Sequence, residues 1–520
     1  MGLYSYRDFS PAESADLVQL SHRLAGVSQL NGLPDVAGLF SNSLVAGGQA
    51  DLSLPQGWRV LSAAELGLPA GSTDPFGFIT LRSPVTGQLL SGPQLLIMVE
   101  EDANGQPLRM AISYAGTNSP VDVVDYLQLN TGDMARAMEP VLGAARNYAE
   151  GAGLTGEDVI VTGYSLGGGY TNVQARFADQ LADGFFANSI YIGHAAPVIY
   201  DQQDRVLNIG FENDVIHRAA GNAPDLWGAL AAADPLLSNN DRSFASSTDN
   251  LVIFDNVYAG APVTLAVDSI LNPLAWSGHL GGLFSDAIAR IAQSRHYEFM
   301  DRDSVVVVSN LGALQRATTW VGDIASPTSD HFGAPAFIIG TAHADRLSDG
   351  RGNDWIDAGA GNDLIRVSSG LNRVDGGAGH DTLRVSAEAR DASVYRLNDG
   401  SIAIATKDGL TIAENVEQVE FRASGLAGWM GAQDSFAIRA NRLDFDGFSL
   451  TNRDIGYAAS VQGGAGHDVL GGRVVFGHGG DDRASPGPAA PTCCMAARGA
   501  THCRAGRAMT VSMGPRAMTC

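Results

Sequence analysis

Asp158-Val159-Ile160-Val161-Thr162-Gly163-Tyr164-Ser165-Leu166-Gly167 is the stretch on which the fold turns. Residues 158–162 form a short apolar run suited to a buried strand, and a glycine turn and a helix, roughly 166–182, follow it. The bend between them reads G-x-S-x-G. A sharp strand-to-helix turn lifts a serine hydroxyl above the sheet, and glycines on either side admit the tight backbone. The helix N-terminus behind the serine, with the N–H of Leu166, favours a developing oxyanion. The bare motif recurs by chance; in this context Ser165 is a candidate nucleophile, set against the plainer reading of a structural turn.

Strand-like runs flank this unit at 94–99, 109–114, 189–192 and 206–209, and a helical stretch lies near 133–152. Strand–helix–strand alternation predicts a parallel sheet covered by helices. At the start, Ser10-Pro11-Ala12-Glu13 reads as a capping box that opens a helix running to about Leu24.

A nucleophilic serine needs a base, and the base needs an orienting acid. For this bend the chain order is Ser, acid, His. Glu212-Asn213-Asp214 ends the run Val206–Phe211, where an acid belongs. The candidate bases are His194, His217, His279, His296 and His331. His217 stands too close to Asp214 to approach from an independent loop, and His194 precedes the acid. His279 sits in the turn-like Trp276-Ser277-Gly278-His279-Leu280, before a helix. Spacing alone leaves the choice open.

The 520 residues suggest two to four domains. A net charge of −23 argues against a nucleic-acid groove or an anionic-membrane patch, both of which need clustered Lys and Arg. It suits a cation or a neutral partner. No apolar stretch approaches the ~18 residues of a spanning helix. MGLYSYRDFS has no basic start followed by an apolar run, so no N-terminal Sec signal is expected. Cys493, Cys494, Cys503 and Cys520 are all the cysteines, which excludes a disulfide framework for the preceding part and suits a chain exported unfolded.

Glycines, 63 in all, punctuate a repeat between 340 and 385. Asp345, Asp354, Asp363, Asn372 and Asp381 recur every nine residues, and Leu347, Ile356, Ile365, Val374 and Leu383 follow two places later. Gly376-Gly377-Ala378-Gly379-His380-Asp381-Thr382-Leu383 is the clearest copy. Glycines free the turn carbonyls, each Asp adds a carboxylate, and the apolar residue starts a short inward-facing strand. Stacked turns then make an oxygen cage for Ca²⁺. Without calcium, repulsion among the carboxylates should leave the segment unfolded. A flexible glycine linker needs no apolar column. Residues 386–460 read as short strands with turns. A second block opens at Gly463-Gly464-Ala465-Gly466-His467-Asp468 and ends at Asp481-Asp482.

From Arg483 the composition breaks: five arginines, no Asp or Glu, and every cysteine. The genetic code explains this. Reading the third base of each codon with the first two of the next, Met495-Ala496 and Met513-Gly514 must give Gly. Met509-Thr510 and Met518-Thr519 must give Asp, nine codons apart. Positions 491 and 500 permit Asp, which continues the series from Asp482. The tail 483–520 therefore reads as a frameshifted continuation of the repeat.

Taken together, Gly163–Gly168, Val206–Asp214, Trp276–Leu280, Arg302-Asp303-Ser304 with its valine run, and Phe337-Ile338-Ile339-Gly340 before the repeats resemble the calcium-dependent RTX lipases that Gram-negative bacteria export through an ABC transporter. The resemblance covers almost the whole chain. It implies an α/β-hydrolase-like catalytic domain over 1–335, a first calcium-binding parallel β-roll over 336–385, sandwich-like strands over 386–460 and a second repeat block over 461–482. It implies Ser165 as nucleophile, His279 as general base and acid, Asp214 as orienting carboxylate, and the N–H groups of Thr117 and Leu166 as the oxyanion pair. Calcium would be held near the histidine loop by Asp249 and Asp303, and in the repeats by Asp345, Asp354, Asp363, Asp381 and Asp468. The implied activity is extracellular, calcium-dependent hydrolysis of lipid or other acyl esters. Phospholipase A1 and polyester- or polyurethane-hydrolysing relatives are the alternatives, and a non-catalytic calcium-binding adhesin or toxin-like module is the rival from another class. The chain departs from the family at Tyr164, where His is usual, and in a shorter stretch between Thr117 and Ser165, where true lipases insert a long lid. Interfacial activation and long-chain preference are therefore not carried over.

Overall fold

A computed structural model describes residues 3, 9–30, 53–75, 77–82, 89–116, 132–197, 205–212, 214, 250–255, 258, 278–279, 281–323, 333–447 and 454–463, with short backbone strands between 469 and 512. Helix α1 (Pro11–Leu30) starts at the expected capping box: the Ser10 N–H donates to Glu13 Oε2 at 2.8 Å, and the Glu13 N–H returns to Ser10 Oγ at 3.3 Å. It runs a turn and a half past the expected Leu24, because Leu24, Ala25 and Val27 remain buried against the sheet.

The first sheet holds β1 (Trp58–Val60), β2 (Ile79–Arg82), β3 (Leu89–Glu101), β4 (Pro107–Tyr114), β5 (Val159–Tyr164), β6 (Ile190–His194) and β7 (Val206–Ile209). Strands β4 to β7 run parallel, and β3 pairs antiparallel with β4. Every residue of β5 is buried, as a strand covered on both faces must be. Helices α2 (Gly132–Gly151) and α3 (Leu166–Arg176) pack one face; α1 and α4 (Gly281–Gln293) pack the other. Helix α3 stops at Arg176, short of the expected 182. Ala182, Asp183 and Gly184 adopt left-handed backbone (φ 47°, 55° and 79°), which no α-helix continues.

The second sheet crosses the boundary expected at 335/336 without a break. Strands β8 (Leu251–Asp255) and β9 (Val305–Asn310) pair in parallel, and β9 pairs with β10 (Ala336–Thr341), Val306 opposite Phe337. The Glu212 N–H donates to the Leu251 carbonyl at 2.6 Å, tying the end of the first sheet to the second. One apolar core runs from α1 through Phe284 and Ile288 to Val306, Phe337 and Trp355, so the N-terminal part and the roll share buried surface.

From β10 the chain winds between two sheets. Strands β11 (Arg346–Ser348), β12 (Trp355–Gly361), β13 (Leu364–Val367), β14 (Gly370–Asp375), β15 (Ala378–Gly379) and β16 (Thr382–Glu388) follow. Ile338 pairs with Ile356 and Ile356 with Val374 on one side; Leu347 pairs with Ile365 and Ile365 with Leu383 on the other. Each nine-residue unit is thus half of a full winding, and the apolar column of the sequence is fully buried between the sheets. The glycines are required where windings stack: a Cβ on Gly377 (φ +84°) would lie 2.0 Å from the Gly359 carbonyl oxygen.

Strands β17 (Ser393–Arg396), β18 (Ile402–Ala405) and β19 (Gly409–Glu414) extend one roll sheet beyond β14. Strands β20 (Gln418–Arg422), β21 (Gln433–Ile438), β22 (Arg442–Phe445) and β23 (Ile455–Gly456) extend the other beyond β16. Farther on, backbone strands again pair in parallel in two sheets, on both sides of Arg483. Their pitch is irregular: Val469 pairs with Arg483, Arg483 with His502, and Cys494 with Thr510, in place of the regular eighteen. Among the described residues no helix is long and apolar enough to cross a membrane.

Candidate active site

Ser165 stands between β5 and α3 with φ 56°, a left-handed conformation that costs a non-glycine residue free energy. The surrounding glycines make the bend possible. A Cβ on Gly163 would lie 2.3 Å from the Gly167 carbonyl, and one on Gly167 would lie 2.2 Å from the Tyr114 oxygen. Main-chain bonds hold the bend: the Ser165 N–H donates to the His194 carbonyl at 2.9 Å. The first N–H groups of a helix have no carbonyl partner within it, so Leu166 offers a donor beside the serine.

His279 reaches this bend from 114 positions along the chain. Its Nε2 lies 3.0 Å from Ser165 Oγ, and its Nδ1 lies 2.8 Å from Asp214 Oδ2. Asp214 is fully buried and the His279 side chain nearly so. A carboxylate accepts from Nδ1–H, which leaves Nε2 as the acceptor for the serine hydroxyl. Of the five candidate histidines, His279 is the one found against Ser165. His194 is buried behind the bend, where its ring meets Ser21, His296 is buried against Ile356, and His217 and His331 lie outside the described residues.

Three contacts at this site had no counterpart in the reading of the sequence. The Tyr164 hydroxyl donates to the main-chain carbonyl of His279. Behind the bend, Ser21 Oγ meets His194 Nε2 at 3.0 Å, and His22 Nε2 meets Ser285 Oγ at 2.5 Å. Burial pushes His22 down to about 4 and His194 well below the usual histidine value, so both stay neutral. Partners this far apart in sequence leave no local signal.

The other expected residues are distributed as follows. Leu166 is at the bend; Thr117, Asp249 and Asp468 lie outside the described residues. Asp303 is exposed, 3.6 Å from Arg302, and its N–H donates to Asp301 Oδ1. Asp345, Asp354, Asp363 and Asp381 are all buried in the turns of the roll. The Asp345 N–H donates to Asp363 Oδ1 at 2.7 Å, and the Asp363 N–H donates to Asp381 Oδ1 at 2.8 Å, one winding on. Asp345 and Asp354 each spend both carboxylate oxygens on protein donors.

The RTX calcium-binding nonapeptide repeat model matches residues 339–373 and 365–387. A Pseudomonas fluorescens protein named "Lipase" is 33% identical over 303 residues, 55% of this chain and 60% of that protein. A second "Lipase" of the same organism is 32% identical over 264 residues, 48% of this chain and 57% of that protein. The matched part therefore spans less than two thirds of these relatives. The crystal structure of the extracellular lipase LipA from Serratia marcescens superposes with a TM-score of 0.74 at 26% identity, covering 95% of this chain and 87% of that one. The chain is similar to these lipases and carries the calcium-binding repeat. Its fold is an α/β-hydrolase-like domain followed by an RTX β-roll, and the repeats bind Ca²⁺.

The residues present fit that ion. Asp363 Oδ2 and Asp381 Oδ2 are buried with no hydrogen-bond partner, the position a cation would satisfy. Burial, with repulsion from neighbouring carboxylates, raises Asp363 to about 8 and Asp381 to about 6. Among the described residues no three His, Cys, Asp or Glu side chains gather closely enough to hold a metal by themselves, so main-chain carbonyls of the turns must complete the shell.

Proposed function

We propose that the protein is a secreted, calcium-dependent serine hydrolase of lipid or other acyl esters. One observation carries this reading: the hydrogen-bonded line from Ser165 through His279 to Asp214, on a strained strand-to-helix bend. Ser165 Oγ attacks the acyl carbonyl and passes its proton to His279 Nε2. Asp214 keeps the imidazole oriented and stabilises it once protonated. The N–H of Leu166, paired with that of Thr117, receives the oxyanion. The tetrahedral adduct collapses as His279 protonates the departing alcohol. Water, losing a proton to His279, then attacks the acyl carbonyl, and His279 returns that proton to Ser165 Oγ as its bond to the acyl carbon breaks and the acid leaves. Calcium bound at the roll, with Asp363 and Asp381 among its ligands, neutralises clustered carboxylates and holds the winding together.

Release outside the cell, through ABC-type machinery, belongs to the same reading and is supported by the repeats and by the extracellular Serratia relative. Ser165→Ala should abolish hydrolysis of p-nitrophenyl acyl esters while leaving the thermal midpoint within about 2 °C; retained turnover would sink the assignment. A chelator should suppress wild-type turnover and calcium restore it. A series of acyl lengths together with phospholipid separates lipase from phospholipase A1 and polyesterase. Ligand binding without turnover would favour a non-catalytic calcium-binding module.

A further inference from the structure

Tyr164, the last residue of β5, is almost wholly buried and bonds to the base through the main chain. Its phenol donates to the carbonyl oxygen of His279, and its ring lies 5.4 Å from the His279 ring, tilted by 40°. Phe284 of α4 meets the Tyr164 ring edge-on at 5.3 Å and 87°, and His22 of α1 packs at 6.1 Å. Side chains of two helices thus pack on the tyrosine ring, while its hydroxyl reaches the backbone of His279 and its ring lies beside the imidazole.

The Ser165–His279 distance is a tertiary quantity, since the two residues are 114 positions apart. A general base works only within hydrogen-bond reach of the hydroxyl it deprotonates, and a displacement of about 1 Å can cost on the order of a hundredfold in rate. Tyr164 is covalently next to the nucleophile. An anchor from its phenol to the His279 main chain therefore measures the position of the base from the serine itself, independently of Asp214. The packing of Phe284 and His22 keeps that anchor from swinging.

We propose that Tyr164 is a positioning residue that fixes the main chain of His279 so that the imidazole spans Ser165 and Asp214; the proposal rests on the assignment of those three residues made above. Tyr164→Phe removes the hydroxyl and keeps the ring. It should lower kcat on a soluble p-nitrophenyl ester by about five- to tenfold, the loss expected for one hydrogen bond. KM should stay at the wild-type value, and the thermal midpoint should fall by no more than about 2–4 °C, the cost of one buried hydrogen bond. The rate at which a p-nitrophenyl phosphonate labels Ser165 should fall by the same factor, because that reaction needs the base but no acyl-chain site. Tyr164→Leu, which also removes the ring contact, should lose on the order of a hundredfold in both rates.

Wild-type kcat and labelling rate in Tyr164→Phe would overturn the proposal. So would a loss of activity that only tracks a fall in the thermal midpoint, or one that appears in KM alone. Ser165→Ala, run in parallel, separates the two readings. Turnover by that variant refutes the active-site assignment itself. An inactive Ser165→Ala beside a fully active Tyr164→Phe refutes only the positioning role.

Discussion

Replacing Asp363 by Asn should move stability in opposite directions with and without calcium. Asp363 Oδ1 accepts the Asp345 N–H, a bond an amide oxygen keeps, while Oδ2 is buried without a partner. Burial, and then the neighbouring Asp381 and Asp345, push this carboxyl from 3.8 up to about 8 in the metal-free fold. The unfolded chain releases the proton near pH 4, whereas the folded chain keeps it until about pH 8. Metal-free stability therefore falls as pH rises through this window, and the loss is complete above it. At pH 7 the gap of about 3 units converts to about 4 kcal/mol. Solvent screening at the turn halves this to ~2 kcal/mol. Asn carries no such penalty. In a chelator at pH 7, where the wild-type roll should be largely unfolded, Asp363→Asn should raise the folded fraction of the roll, followed by far-UV circular dichroism, by an equilibrium factor of about thirty, the equivalent of ~2 kcal/mol. Lowering the pH to 5 should raise the wild-type folded fraction and shrink the difference. In saturating calcium the same substitution removes an anionic ligand and should lower the midpoint. If Asp363→Asn destabilised the chelated protein as much as the calcium-loaded one, the carboxylate would be a structural cap only and the reasoning would fail.

Ser165→Gly should be as inactive as Ser165→Ala but more stable than it by about 1 kcal/mol in urea unfolding, because glycine bears the φ of 56° without strain; equal stabilities would mean the bend is not strained. His22 is held near 4 by burial while an unfolded imidazole titrates near 6.5, so its stabilising contribution is intact above pH 6.5 and is lost as pH falls toward 4. That loss amounts to about 3 kcal/mol and should appear as a steep drop in the unfolding midpoint of the calcium-loaded protein, a slope that His22→Gln should flatten. The coding DNA for 483–520, read from the third base of each present codon as for Met495-Ala496, should encode further glycine- and Asp-bearing nonapeptides; codons without them would leave the basic tail as a genuine feature.

Much of this architecture is written locally. The nine-residue pitch, the apolar column and the glycine turns of the roll appear in the sequence because each winding repeats one local solution, and neighbours in the stack lie only eighteen residues apart. The same holds for the bend at Ser165 and the capping box at Ser10, where a few adjacent residues specify both conformation and chemistry. Residue spacing did not select the base, and only the resemblance to a known family singled out His279. The left-handed backbone at Ala182, beyond the end of α3, was hidden too, since alanine gives no signal for it.

What the tertiary structure alone decided is how distant parts meet. Spacing could not say that His279 stands 3.0 Å from Ser165, that the Tyr164 phenol holds its carbonyl, or that β9 and β10 join the N-terminal part and the roll into one sheet. Local pattern fixes backbone conformation through sterics and the burial of periodic side chains. Contacts between residues a hundred positions apart depend on how whole layers pack, and that free energy is shared among so many side chains that no single stretch of sequence records it.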